Sequence, residues 1–192
     1  MHDLSGSTAV HPERGDWIRT YTGGRFYLTT PAPEDVRIED IAHALSQICR
    51  FTGHTRRFYS VAEHCVHVSK LVEPRHALWG LLHDAAEAYI GDVARPLKHA
   101  YGMDGYRRIE ILVEAAVLDA FHIPLTPMME WDVKQADLHM LCVEARDLLG
   151  ITDFEAACWR YWTEPNPKLR AVGWGPQAAK DEFLARFKEL TS

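Results

Sequence analysis

The chain has 192 residues, 47% of them hydrophobic and 25% charged, with a formal net charge of −6. That suffices for one globular domain with a sizeable core. An acidic chain without a block of like charges gains little from a phosphate backbone, so nothing in it predicts a nucleic-acid groove.

Residues 1–15 are polar, with Gly, Ser and Pro, and read as a mobile arm. Two β-prone stretches within 17–28 flank Gly23-Gly24, which predicts a short hairpin. Pro31 and Pro33 then break the chain. Ile38, Ile41, Ala42, Leu45 and Ile48 recur at helical spacing and predict an amphipathic helix over 38–49. Ser60 with Glu63 forms a capping box ahead of a stripe of Val61, His64, Cys65, Val68 and Leu71.

After Pro74, the stripe Leu78, Leu81, Leu82, Ala85 and Tyr89 predicts one helix over 75–90, ended by Gly91. Ile109, Leu112, Val113, Ala116, Val117, Ala120 and Phe121 define a long helix closed by Pro124. Another, over about 128–149, turns Val133, Ala136, Met140 and Leu141 inward. Pro165-Asn166-Pro167 reads as a turn, and a last helix over about 176–190 packs Phe183, Leu184 and Phe187. The expected fold is all-α: one bundle-like domain from residue 16 to 192, with a short N-terminal β-hairpin.

Cys49, Cys65, Cys142 and Cys158 show no C-x-x-C spacing, and the N-terminus lacks the charged, apolar and small-residue order of a signal peptide. No apolar run reaches the ~18–20 residues that span a bilayer. These features predict a cytoplasmic protein whose cysteines are reduced, small core residues.

The polar residues that carry chemistry lie on the helices. His83, Asp84 and Glu87 fall within about 100° of one another around their helix. Trp79, Ala86 and Ile90 flank them, so this face is either a solvated polar strip or a functional one. His64 lies inside an apolar stripe, as a satisfied core histidine or as a ligand. Asp137 occupies the stripe of Val133, Ala136, Met140 and Leu141, where an unpaired charge costs several kcal/mol. A metal cation, an Arg or a Lys must neutralise it. Two His and two Asp on three helices make a mixed N/O set suited to one divalent ion: Mn, Fe, Co, Ni, Zn or Mg.

The run Val61-Ala62-Glu63-His64, then His83-Asp84-Ala85-Ala86-Glu87, then Gly91-Asp92 and Pro96-Leu97-Lys98, then Lys134-Gln135-Ala136-Asp137 resembles the HD-domain phosphohydrolases. Within that superfamily it is most similar to the YfbR-type 5′-deoxynucleotidases and phage-type HD hydrolases. The resemblance covers roughly residues 38–150.

It implies a helical HD-type bundle in which His64, His83, Asp84 and Asp137 hold the metal. Glu87 and Asp92 match acidic residues near the attacking water and the leaving group, with their division of roles open. Arg50 matches an arginine that binds the substrate phosphate, and a guanidinium fork suits phosphate oxygens. Phe51 stands where those nucleotidases have Trp. His54, Arg56 and Arg57 would add phosphate-binding capacity beside Arg50.

The expected activity is removal of phosphate from a small nucleotide, foremost a (deoxy)nucleoside monophosphate. A (d)NTP triphosphohydrolase, a cyclic or (p)ppGpp phosphodiesterase, and a nucleotide-binding sensor without catalysis are the alternatives. The expected partners are the nucleotide and a second copy of the chain, with Trp159, Trp162 and Trp174 as interface aromatics; no nucleic acid and no membrane are expected.

Overall fold

A computed structural model describes residues 12–151 and 163–192. The chain is mostly helical, with a two-stranded antiparallel sheet near its start. Residues 1–11 of the expected arm lie outside the described residues, as do Cys158, Trp159 and Trp162. The rest of the arm is held: Pro12–Arg14 forms a helical turn, and Arg14 pairs with Asp35 and sits 4.1 Å over the Tyr27 ring.

Strands β1 (Ile18–Arg19) and β2 (Arg25–Phe26) pair with Ile18 opposite Phe26. The turn between them closes with the Gly23 amide donating to the Thr20 carbonyl, at a Gly23 φ of 90° that favours glycine. The Thr22 amide and hydroxyl donate to the buried Asp40 at 2.6 and 3.0 Å, docking the hairpin on helix α1 (Ile38–Gln47).

Helix α1 stops short of the predicted residue 49. Ile48 and Cys49 are extended instead, because the Val61 amide donates to Ile48 O and the Arg50 amide to Tyr59 O. These two bonds close residues 50–59 into a loop and set Arg50 at its neck, beside the start of helix α2 (Val61–Ser69).

Helix α2 is the centre of the fold. All of it is buried except His67. It packs against α1, against α3 (Ala77–Leu82), against α7 (Pro127–Glu144) and against α8 (Pro176–Leu190). Ser60 caps it by accepting from the Glu63 amide at 3.1 Å. The other half of the predicted capping box is absent. The Glu63 carboxylate accepts instead from the amides of Val172, Gly173 and Trp174, at 2.9, 2.9 and 2.5 Å. A buried carboxylate thus fastens the segment leading into α8. Gly80 lets α3 approach, since a Cβ there would stand 3.1 Å from Ser69 Cα.

The single helix predicted over 75–90 is broken. It consists of a 3₁₀ turn (Pro74–His76), α3, a turn over 83–86, and α4 (Glu87–Ile90). The turn tightens to i→i+3 bonds, Ala85 N to Leu82 O and Glu87 N to Asp84 O. The His83 ring occupies the Gly80 carbonyl at 2.9 Å, while the Asp84 backbone meets the Cys65 thiol of α2. Gly91, at φ 78°, ends α4 as predicted. Phe26 stacks on Tyr89 with centroids 3.7 Å apart, which anchors α4 to the hairpin.

Helix α5 (Arg95–Lys98) is followed by α6 (Asp104–Ala120), which starts earlier than predicted and buries Val113, Ala116 and Val117. Leu112 is not core; it is 46% exposed. Thr126 caps α7, which runs on through a π-helical turn (Ala145–Leu149). Asn166 nucleates the expected turn by accepting from the Lys168 and Leu169 amides. Among the described residues no helix is long and apolar enough to cross a membrane.

Candidate functional site

Three elements bring His64, His83, Asp84 and Asp137 to one point. His64 is wholly buried on α2, His83 and Asp84 sit on the broken turn after α3, and Asp137 comes from the middle of α7. His64 Nε2 lies 3.4 Å from Asp137 Oδ1 and 3.8 Å from Asp84 Oδ2, and His83 Nε2 lies 3.4 Å from Asp84 Oδ2. The two imidazole rings are 5.3 Å apart.

Both Nε2 atoms are buried and lack a hydrogen-bond partner. An orphaned polar atom of this kind needs an explanation. Each ring is held by its other nitrogen, His64 Nδ1 at 2.6 Å from Glu144 Oε1 and His83 Nδ1 at 2.9 Å from Gly80 O. Histidines that ligate metals are commonly oriented in this way, with the free lone pair aimed at the ion. His64, His83 and Asp137 place a ligand atom each within 4.8 Å of one another, a spacing that can hold a metal ion.

Cys65, His83 and Asp84 form a second such group. The sulfur is the weaker donor. Burial, reinforced by Asp84 and Glu87, pushes its pKa well up, and the thiolate is the ligating form.

Electrostatics favour a cation at this point. Burial works against the charged form of Asp84, but His83, His64 and Arg50 outweigh it and hold the carboxyl below its usual range. Asp137 is pulled lower still by its contact with His64. Burial keeps His83 neutral to lower pH than usual, the form that ligates. Asp137 also meets Lys134 Nζ at 2.5 Å, so a lysine shares in neutralising it. That lysine is half exposed.

A cleft of about 740 Å³ opens over these groups. Arg50, Asp84, Glu87, Asp92 and Asp137 are all in its wall. Arg50 Nη1 stands 3.5 Å from Asp84 Oδ2, and its Nε and Nη2 each reach Glu144 Oε2 at 3.2 Å. Glu87 is buried with Oε2 unpartnered; desolvation first, then Asp84 and Asp92, pushes its pKa well up. Asp92 is raised by burial and Asp84, against the pull of Arg50.

At the cleft edge Phe51 and Thr52 both adopt left-handed backbone, at φ 55° and 54°. For a β-branched Thr this is strained, and such strain collects at functional sites.

The other basic residues of the 50–57 loop turn away. Arg57 donates to Ala171 O at 2.6 Å, Arg56 lies against Gly150, and neither they nor His54 line the cleft. The expected extra phosphate capacity beside Arg50 is therefore absent. The cleft's further basic residues are Arg95, Lys98, His99 and Lys134, with Lys98 paired to Glu110 at 2.6 Å. His67 lies against Trp174, and His139 accepts from the Asn166 amide.

The residue that sequence reasoning missed is Glu144. It stands seven positions after Asp137 on the same helix, four after the buried Met140. A carboxylate on an apolar stripe marked Asp137, and the same rule marks Glu144.

Over 175 residues the chain is 38% identical to the uncharacterized protein YfdR of Escherichia coli K12, covering 91% of this chain and 96% of YfdR. The chain belongs to the YfdR family. A second relative, an uncharacterized protein of Rhodobacter capsulatus, is 37% identical over 164 residues, 80% of this chain and 82% of its own. No family model matches the chain.

Proposed function

We propose that this YfdR-family protein is a metal-dependent phosphohydrolase of the HD-domain type, acting on a small nucleotide, foremost a nucleoside or deoxynucleoside monophosphate. The observation that carries the reading is the pair of buried, unpartnered Nε2 atoms on His64 and His83, converging with the carboxylates of Asp84 and Asp137. These four residues would hold one divalent ion. When bound, it would supply Lewis acidity to a phosphoryl oxygen and acidify a water molecule.

The chain's own groups do the rest. Arg50 is splinted by Glu144 on two of its nitrogens, and Nη1, 3.5 Å from Asp84 in the cleft wall, would be the nitrogen that meets a phosphate oxygen. Glu87, whose pKa is pushed well up by desolvation and by Asp84 and Asp92, holds its proton to higher pH than an ordinary carboxyl and can give it to a leaving oxygen. Asp92 is less buried and shifted in the same direction, and can orient the attacking water. Inside the cleft these charges act at low dielectric, where each is worth more than in water.

The test is a screen of NMP, dNMP, dNTP and cyclic nucleotides with Mn²⁺, Co²⁺ or Mg²⁺, reading phosphate and pyrophosphate release. The expected result is metal-dependent phosphate release from monophosphates. Phosphate release that survives Asp84→Ala unchanged overturns the assignment.

A further inference from the structure

Glu144 is a fully buried carboxylate that touches both halves of the site. Its Oε1 lies 2.6 Å from His64 Nδ1, and its Oε2 takes Nε and Nη2 of Arg50, both at 3.2 Å. We infer that Glu144 is the positioning residue that joins the two functions of the cleft, fixing the proton of His64 on Nδ1 while holding Arg50 as an anion clamp. This deepens the metal-site reading and rests on it.

The argument is one of donors and acceptors. Arg50 has only donors to offer. His64 must donate from Nδ1 if Nε2 is to present a lone pair to an ion. Glu144 therefore has to accept on both oxygens, and a carboxylate is the one side chain of its shape that does so.

A glutamine fits the space but not the logic. With its oxygen on His64, its amide group faces the guanidinium, donor against donor. With its oxygen on Arg50, its amide group faces His64 Nδ1, and the imidazole proton must move to Nε2. No orientation serves both neighbours. Removing the Arg50 fork as well resolves the conflict: an amide at position 50 can accept from the amide at 144, whose oxygen then returns to His64.

The experiment measures Mn²⁺ affinity by calorimetry, and then inorganic phosphate affinity of the Mn²⁺-loaded protein, with circular dichroism to verify the fold. Glu144→Gln should weaken Mn²⁺ binding by about 10- to 100-fold, the usual effect of losing a partner behind a ligating histidine. Phosphate binding should fall with it. The double variant Glu144→Gln with Arg50→Gln should regain most of the Mn²⁺ affinity without regaining phosphate binding.

A brace that only supports the fold would lower the melting temperature and leave Mn²⁺ affinity unchanged in the folded variant, and that result overturns the inference. A direct reading on the unmutated chain stands beside it. In ¹⁵N-histidine-labelled, metal-free protein with the imidazole neutral at high pH, His64 should carry its proton on Nδ1, and a proton on Nε2 overturns the inference even if the Gln variant fails to fold. The two readings separate cleanly. Failure of the unmutated chain to bind Mn²⁺, Co²⁺ or Mg²⁺ removes the metal site itself, whereas equal Mn²⁺ binding before and after Glu144→Gln removes only the role of Glu144.

Discussion

Asp137 and Glu144 stand two helical turns apart on α7 and meet the same imidazole from opposite sides. Asp137 Oδ1 is 3.4 Å from Nε2 of His64 and Glu144 Oε1 is 2.6 Å from Nδ1. Residues seven apart on a helix share a face. One face of α7 thus delivers both a carboxylate that could hold an ion and the carboxylate that orients the His64 ring. His64 is placed between them because α2 is buried on nearly every side and cannot rotate.

On the metal-site reading, Asp84 matters more for the ion than for the fold. Its side chain is partly exposed and belongs to no core cluster. Asp84→Asn keeps the shape and removes the charge. After reconstitution with Mn²⁺ and desalting, the unmutated chain should retain about one ion per chain and Asp84→Asn almost none. Because His83, His64 and Arg50 favour the Asp84 charge in the folded chain, metal-free Asp84→Asn should melt a few degrees lower yet stay folded. Full metal retention by Asp84→Asn would remove it from the ligand set.

Much of this was legible from residue order because burial has a period. His64 and Asp137 were conspicuous as polar residues on apolar stripes, and α8 ran over the predicted span because Pro176 starts it and its stripe is regular. The break at 83–86 was not legible. It depends on the His83 ring taking the Gly80 carbonyl and on Cys65 meeting the Asp84 backbone, and no local pattern encodes contacts between α2 and this turn. The same holds for the 50–57 loop. Its arginines read alike in the sequence, yet Arg50 faces the cleft while Arg57 is spent on a carbonyl more than a hundred residues away. Glu144 was within reach of the stripe argument, but its link to Arg50 spans distant parts of the chain.

Metal uptake should depend on pH through His64. In the metal-free protein, burial and Arg50 oppose its protonation, but Glu144 and Asp137 outweigh them and raise its pKa from 6.5 to about 9. The folded chain therefore holds that proton more tightly than the unfolded one. The sign follows: this contribution to stability is complete below pH 6.5 and is lost as pH rises through about 9. An ion on Nε2 must displace the proton. Below pH 9 its affinity should rise by about tenfold per pH unit, with about one proton released per ion. Calorimetry in buffers of different ionisation enthalpy reads that release directly. Pairing a flat affinity between pH 6 and 8 with no proton release would show that His64 is not a ligand.

Glu87 offers the opposite trade. Its carboxyl is buried, one oxygen lacks a partner, and its pKa is raised by desolvation and by two neighbouring carboxylates. A folded-state pKa above the unfolded value means that ionisation at higher pH disfavours the folded chain. Nothing in the core requires that charge, so its retention points to use. Glu87→Gln keeps the volume and abolishes the ionisation. It should raise stability at pH 8 by about 1 kcal/mol, a shift of a few degrees in melting temperature, and give less or no gain at pH 4.5, where the carboxyl is already protonated. Phosphate release should fall at least about 100-fold, the scale of losing one acid–base group, while Mn²⁺ retention stays intact. Melting curves at the two pH values, read beside turnover and metal content, separate this from a general loss of structure. A destabilised variant with normal turnover would assign Glu87 to the fold instead of the chemistry.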